Sequence, residues 1–100
     1  MIVVNIKKAN DVINEITMEG HAMYDVHGKD IVCASASSIL ITTVNAIHSF
    51  DNDAITVNQK NMVTITIKKH DSVTDGLINN MITLLKDLEK QYKKNIKINE

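Results

Sequence analysis

The stretch Ile2–Glu19, "IVVNIKKANDVINEITME", decides the fold because it has the pattern of two short strands joined by a turn. Its first part, Ile2–Lys7, is rich in β-branched residues. Along Val12–Glu19 every second residue falls in the same row, with Val12, Asn14, Ile16 and Met18 set against Ile13, Glu15, Thr17 and Glu19. Such a period of two is typical of a half-buried strand. Asn10 and Asp11, between the two parts, favour a tight turn. The stretch therefore predicts an antiparallel β-hairpin.

A change of pattern follows the hairpin. From Gly20 to about Lys29 there is no clear period, and this length is unusual for a connection in a small domain, so the segment has the character of a functional or a disordered loop. From Asp30 onward one face repeats at spacings of three and four, through Cys33, Ser37, Leu40, Val44 and Ile47. This periodicity predicts a helix that begins at Asp30 and ends between His48 and Phe50.

The strand pattern then returns. "AITVN" (Ala54–Asn58) and "MVTITIKK" (Met62–Lys69) flank the short polar segment "QKN". They predict a second hairpin, with Asp51–Asp53 as the polar connection that precedes it. We expect its strands to join the same sheet.

A second helix and a last strand complete the chain. Ser72 followed by Asp75 resembles a helix capping box, and the broad apolar stripe beyond them predicts a helix to about Lys94. "IKIN" (Ile96–Asn99) predicts a final short strand. The order ββαββαβ indicates an α+β fold: a mainly antiparallel sheet with two helices packed on it, in a single domain over residues 1–100.

Composition narrows the cellular setting. With one cysteine the chain cannot form an internal disulfide, and a lone thiol suits a reducing compartment. No stretch has the pattern of a signal peptide or the length of a membrane span, so we expect a cytoplasmic protein without a membrane partner.

The charge balance gives no strong electrostatic attraction for nucleic acid. The chain has 11 lysines and no arginine against 12 acidic residues, for a net charge of −1. The small basic cluster Lys93, Lys94 and Lys97 is interpreted as a solvated helix terminus. Direct nucleic-acid binding is therefore not expected.

Cys33 is the residue with the most distinctive chemistry. If Asp30 caps the helix, Cys33 lies in its first turn, where unpaired backbone N–H groups and the helix dipole favour a thiolate. His21 can approach across the loop and serve as an adjacent base. The alternatives remain open: a packed, inert cysteine, which is the commoner case, or a metal site that combines Cys33 with His21, His27 and Asp30, although their spacing matches no zinc motif.

A resemblance bears on this choice. "GHA" at Gly20–Ala22 and "GKDIVCASAS" at Gly28–Ser37 are similar to the signature of the bacterial ribosomal-processing cysteine proteases, the Prp family. The element order and the length also fit over nearly the whole chain. The resemblance favours a reactive Cys33 over a packed one.

The resemblance implies a function and a site. Cys33 would be the nucleophile and His21 its partner base, in an endopeptidase that removes the N-terminal extension of a large-subunit ribosomal protein, the twenty-seventh, during ribosome assembly. It also implies a homodimer and a mobile loop, Ala22–Lys29, over the site, with Gly20 and Gly28 as hinges. No cofactor or metal is implied. The competing function is a non-catalytic binding module associated with the ribosome.

Supporting roles follow from position. Backbone N–H groups at Cys33 and Ala34 would face the developing oxyanion. Asp30 would orient His21 or cap the helix, and we favour capping. Ser37, one turn after Cys33, would hydrogen-bond near the site or back to the helix. Tyr24 would occlude the site or contact the peptide.

Overall fold

The computed structural model describes residues 1–20 and 30–100. In this part of the chain five strands and two helices follow one another: β1 (Ile2–Ala9), β2 (Val12–Glu19), α1 (Asp30–Phe50), β3 (Ile55–Asn58), β4 (Val63–Ile67), α2 (Ser72–Gln91) and β5 (Ile96–Asn99). The predicted order ββαββαβ is confirmed.

The strands form one sheet in the order β3-β4-β2-β1-β5. The pairs β3/β4, β4/β2 and β2/β1 are antiparallel, whereas β5 pairs parallel to β1. The second hairpin therefore extends the first on one side, and the C-terminal strand extends it on the other. The prediction of a mainly antiparallel sheet is confirmed.

The turn between β1 and β2 has the geometry that its sequence favours. Asn10 and Asp11 both have positive φ angles, 54° and 64°. Positive φ at both central residues is the mark of a type I′ turn, whose twist matches that of the flanking strands, and asparagine and aspartate tolerate it better than most residues. A register shift between Lys7 and Lys8 adds an irregularity just before the turn.

The two faces of the sheet differ in polarity because side chains alternate along each strand. One face is covered by both helices, and its strand residues are buried: Ile2, Val4, Ile6, Ile16, Met18, Ile55, Ile65, Ile67 and Ile96. The other face carries a polar row that crosses all five strands: Asn99, Asn5, Thr17, Thr64 and Asn58. Asn99 Nδ2 donates to Asn5 Oδ1 at 3.0 Å within this row. The core thus lies between the sheet and the helix pair.

Helix α1 is more apolar than the core requires. Val32, Ala36, Leu40 and Ile47 are buried in the core, but only a minority of the segment Ile31–Phe50 is buried. By length and composition this segment could cross a membrane, contrary to the expectation that no stretch approaches a span, because Ile31–Phe50 contains no Asp, Glu, Lys or Arg. Core helices of globular proteins meet the same criterion, and α1 packs against α2 and the sheet.

The connection from α1 into β3 is fixed by polar contacts. Asp51 Oδ1 accepts the backbone N–H of Asp53 at 3.0 Å, and Asp51 Oδ2 lies 3.0 Å from Lys69 Nζ. The hydrogen bond from Asp53 and then the Lys69 ammonium hold the pKa of the Asp51 carboxyl below its usual value. His48 adds a contact between its Nε2 and the Ile55 carbonyl oxygen at 3.3 Å. The C-terminal end of α1 is thereby fastened to the sheet.

The predicted capping box of Ser72 and Asp75 is wrong. The N-cap of α2 is Asp71, which is extended (φ −135°, ψ 171°) and accepts the Thr74 N–H on its carboxylate at 2.8 Å. A carboxylate at this position reaches the third helical N–H and leaves Ser72 as the first helical residue. Asp75 instead lies 3.1 Å from Nδ1 of His70.

The predicted end of α2 is also wrong, by about one turn. The helix ends at Gln91 rather than near Lys94, and Tyr92 leaves the helical conformation (φ −132°, ψ 55°). The Tyr92 carbonyl then accepts N–H groups from Asn95 at 2.8 Å and Ile96 at 3.2 Å. The apolar stripe continued through Tyr92 because its side chain still packs against the core after the backbone has turned.

Candidate active site

The described residues proposed for the active site lie at one end of the sheet, where some strands begin and others end. Ile2 pairs with Ile96 and Val3 with Glu19, so β1 and β5 begin at the edge where β2 ends. Helix α1 follows β2 in the chain and ends before β3, which begins at the opposite edge. The first turn of α1 therefore lies toward the edge where β2 ends. We call this the site edge.

Gly20 lies at this edge directly after β2. Its φ is +76°, a region that residues with a Cβ rarely adopt, and an added Cβ would run into the carbonyl oxygen of Met1. Only glycine satisfies both conditions. The predicted hinge role of Gly20 stays a prediction, but the backbone there does require a glycine.

Cys33 is the fourth residue of α1 and lies in its first turn. The side chain is half-buried, carries a free thiol and packs against the edge of the core. The first turn is the positive end of the helix dipole. This agrees with the placement expected from the sequence.

Asp30 is the first residue of α1, and the choice between a capping and a catalytic role for its side chain stays a prediction. In a helix that begins at Asp30, the N–H of Ala34 has an intrahelical acceptor four residues earlier. The predicted oxyanion role of the Ala34 N–H therefore stays a prediction without support from the helix start.

Several predicted site residues lie outside the described part of the chain. They are His21, Tyr24, Gly28 and the loop 22–29 that contains the latter two. The alternative metal site depends on His21 and His27, which are also outside it. Among the described residues there is no group of three or more His, Cys, Asp or Glu side chains that could hold a metal ion.

A small apolar cavity opens one helical turn from Cys33. Its volume is ≈ 140 Å³, and it is lined by Met18, Ser37, Leu40, Ile41, Gln59 and Val63. Ser37 follows Cys33 by four residues and so lies on the same side of the helix. The structure thus places Ser37 at the mouth of an apolar cavity next to the cysteine.

The sequence did not reveal the other residues of this cavity. Met18 and Val63 belong to adjacent strands and pair with one another, and Gln59 belongs to the turn of the second hairpin. The sequence indicated only that each of these residues belongs to a strand or a turn. Their meeting depends on the β2/β4 pairing, which periodicity within a strand does not specify.

The comparisons with known proteins bear directly on this site. The family model of the cysteine protease Prp matches residues 1–97. The chain belongs to the Prp family. It is therefore a cysteine protease. The "Ribosomal processing cysteine protease Prp" of two Staphylococcus aureus strains, Mu50 and NCTC 8325, is 33% identical over an alignment of 91 residues that covers 87% of this chain and 86% of the relative.

Solved structures of Prp proteases share the fold. The S. aureus "essential ribosomal processing protease Prp" has been solved with a covalently linked product peptide and with a substrate peptide. These structures match with TM-scores of 0.87 and 0.88 at 29% identity, over 99% of this chain and 98% of theirs. A Streptococcus mutans protein with a TM-score of 0.86 is 17% identical and supports the fold alone. The order of elements and the mostly antiparallel sheet are those of the Prp fold.

Proposed function

We propose that this cysteine protease removes the N-terminal extension of a bacterial large-subunit ribosomal protein, the twenty-seventh, with Cys33 as nucleophile and His21 as base. The observation that carries the proposal is simple. A cysteine protease needs a cysteine nucleophile, and Cys33 is the only cysteine of the chain. Relatives at 33% identity are named for ribosomal processing, which supports the substrate class.

The mechanism we propose is acyl transfer through a thioester. The Cys33 thiolate attacks the scissile carbonyl carbon, and protonated His21 gives its proton to the leaving amine as the C–N bond breaks. The extension remains bound to sulfur. His21 then takes a proton from water, whose oxygen attacks the thioester and releases the extension as a carboxylate, restoring the thiol.

The position of Cys33 supports this chemistry in two ways. The first turn of α1 is the positive end of the helix dipole, which suits a sulfur nucleophile that attacks as an anion. Backbone N–H donors stabilise the oxyanion that forms during the attack, and in other enzymes one such donor contributes about 3 to 4 kcal/mol.

The neighbouring cavity supports a peptide substrate. Its walls are mainly apolar, and its volume of ≈ 140 Å³ is close to the space that holds one small ring, since an engineered apolar cavity of about 150 Å³ binds benzene. We propose that it receives an apolar side chain of the substrate. This would fix the peptide relative to Cys33, because the cysteine and the cavity residues Ser37, Leu40 and Ile41 belong to one helix.

Two further features belong to the proposal. A ribosomal substrate and a lone free thiol both suit a reducing, cytoplasmic compartment. Two copies of the chain would associate, because Ile31 and Ile41 are 58% and 55% exposed on the outer side of α1. The edge strands β3 and β5 are also short, and within residues 1–20 and 30–100 no further strand pairs with their outer edges.

The test is cleavage of a synthetic peptide that spans the junction between the extension and the mature ribosomal protein. We expect the wild type to cut it at the junction, and Cys33→Ala and His21→Ala to abolish cleavage, since loss of a nucleophile in a related type of hydrolase costs about 10⁶-fold in kcat. Circular dichroism should be unchanged. Mass spectrometry of the products locates the cut.

The matched control is Ser38→Ala, a change of one exposed hydroxyl on the same helix, which should cut like the wild type. Equal cleavage by wild type and Cys33→Ala would contradict the assigned nucleophile. No cleavage of the junction peptide by the wild type would contradict the assigned substrate.

A further inference from the structure

A lysine-rich cleft lies at the C-terminal end of α2. It has a volume of ≈ 320 Å³ and is lined by Met1, Glu89, Lys90, Lys93, Ile96 and Lys97. A second depression of ≈ 440 Å³, formed by residues 90–95, shares Lys90 and Lys93 with it and adds Lys94. Together they form one continuous basic surface, which we call the lysine cleft.

The positive charge of the lysine cleft is not neutralised by the described neighbours. Lys90, Lys93, Lys94 and Lys97 are all exposed. Among the ion pairs found within residues 1–20 and 30–100, the lysines involved are others: Lys7, Lys8, Lys69 and Lys86. The cleft is therefore a local concentration of charge in a chain whose net charge is only −1.

The nearby carboxylates are occupied elsewhere. Glu89 accepts the backbone N–H of Ile98 on its Oε2 at 2.8 Å, which ties it to β5. Glu100 lies 3.1 Å from Lys86 and 3.8 Å from Lys8, and the Lys86 hydrogen bond lowers the pKa of its carboxyl. Glu89 keeps its negative charge, but the three lysines that line the same cleft, Lys90, Lys93 and Lys97, outnumber it.

The helix dipole accounts for only part of this cluster. Lys90 lies in the last turn of α2, where a cation is favoured. Lys93 and Lys94 follow the end of the helix, and Lys97 belongs to β5. The dipole effect falls off within the last turn, so it does not explain why a turn and a strand add three more cations to the same surface.

The lysine cleft lies at the site edge. Ile96, in its wall, pairs with Ile2 at the start of β1, and Val3 in turn pairs with Glu19 at the end of β2. One strand, β1, therefore separates the cleft from the strand that leads through Gly20 toward Cys33. A ligand in the cleft would therefore lie at the same end of the sheet as the first turn of α1, which carries Cys33.

We propose that the lysine cleft binds the phosphate backbone of RNA next to the protein substrate. Lysine ammonium groups are compact point charges that suit phosphate oxygens, and four of them over two joined depressions suit a polymer of repeated charges better than one carboxylate. Of the aromatic residues near the cleft, Tyr92 packs against the core, so stacking on bases is not expected from it. The proposal rests on the proposed function, because a ribosomal protein is handled in contact with RNA.

The sequence argued against such binding because the net charge is small and the cluster Lys93, Lys94 and Lys97 was interpreted as a solvated helix terminus. The fold changes the conclusion because Lys90, from α2, and Lys97, from β5, line the same cleft. Binding of this kind is electrostatic and independent of base sequence, so it should weaken strongly with salt.

The test measures fluorescence anisotropy of a labelled single-stranded RNA of mixed sequence, at 50 to 200 mM salt, with the Cys33→Ala protein. Contact with three phosphates predicts a slope of about −2 in log affinity against log salt, or about 20-fold weaker binding over this range. Lys90→Gln/Lys93→Gln/Lys97→Gln should weaken binding at least ~10-fold and flatten the slope by about 2.

The matched control is Lys7→Gln/Lys60→Gln/Lys68→Gln, which removes the same number of positive charges from exposed lysines outside the cleft. It should stay within about threefold of the parent if the site is local. Equal weakening in both triple variants, a parent dissociation constant above about 1 mM at 50 mM salt, or equally tight binding of polyglutamate would each overturn the proposal.

The two proposals can fail separately. RNA binding is measured on a protein that lacks the cysteine, so it does not require cleavage. Cleavage of the junction peptide is measured without RNA, so it does not require the lysine cleft. Cleavage without RNA binding would leave the protease assignment in place and remove the lysine cleft as an RNA site.

Discussion

Cys33, the proposed nucleophile, is half-buried and packs against the core. It lies in the first turn of α1, between the buried residues Val32 and Ala36, which anchor this part of the helix. Packing then fixes the direction of the sulfur, which favours a reproducible attack geometry.

Gly20 and Gly76 should respond in opposite ways to the same substitution. Gly20→Ala places a Cβ at a positive φ and against the Met1 carbonyl oxygen, so the free energy of unfolding should fall by about 1 to 2 kcal/mol or more. Gly76 lies inside α2 with nothing within 4 Å of an added Cβ, so Gly76→Ala should raise it by about 0.5 to 1 kcal/mol. Urea unfolding measures both changes.

Because Gly76→Ala is the control for the effect of a methyl group itself, a stabilising Gly20→Ala would show that the backbone at the end of β2 is not constrained as described. Loss of peptide cleavage in a Gly20→Ala protein that remains folded would further support a role of this position in the loop that follows.

Two substitutions at the start of α2 test which residue caps this helix. Asp71→Ala removes the acceptor of the Thr74 N–H and should lower the free energy of unfolding by about 0.5 to 2 kcal/mol. Ser72→Ala, one residue later, removes a side chain that is not the cap and should change it by less than about 0.5 kcal/mol. Thermal or urea unfolding measures both changes. A larger loss of stability in Ser72→Ala than in Asp71→Ala would contradict the Asp71 cap and support the capping box of Ser72 and Asp75.

The same element illustrates what sequence patterns specify. Alternation and periodicity predicted every strand and both helices, because burial of one face acts over many residues and leaves a repeated signal. The cap of α2 depends on one hydrogen bond, and "DSVTD" contains two acids and a serine that can each supply it. Its C-terminal end was placed too late because Tyr92 keeps its apolar contact after the backbone has left the helix.

The candidate site divides in the same way. The first turn of α1 and the position of Cys33 within it followed from periodicity, and the pairing of Cys33 with His21 was implied by family resemblance. The apolar cavity could not be predicted, because Leu40, Val63 and Met18 come from three elements whose arrangement is set by strand order. The basic cluster Lys93, Lys94 and Lys97 was seen in the sequence and interpreted as a solvated helix terminus, but the cleft that it lines together with Lys90 depends on how α2 and β5 pack.

The two outer surfaces of the molecule, one face of the sheet and the outer side of α1, differ in polarity. The open face of the sheet is polar across all five strands, whereas the outer side of α1 exposes Ile31, Ala34 and Ile41 at helical spacing. An exposed apolar stripe of this kind is typical of an interaction surface. If two copies associate, the outer side of α1 is therefore a better candidate for the contact than the face of the sheet.

Association of two copies of the chain can be measured directly. Sedimentation at micromolar concentration should give twice the monomer mass of 11.2 kDa, and the unfolding temperature should rise with protein concentration, because a dimer is stabilised by mass action. Ile31→Lys/Ile41→Lys should shift the protein to monomer by placing charge in the buried contact. Val12→Lys is the matched control, since Val12 is 42% exposed on the hairpin and should leave the mass unchanged. A monomeric wild type would contradict the dimer, and a dimeric Ile31→Lys/Ile41→Lys protein would move the contact away from α1.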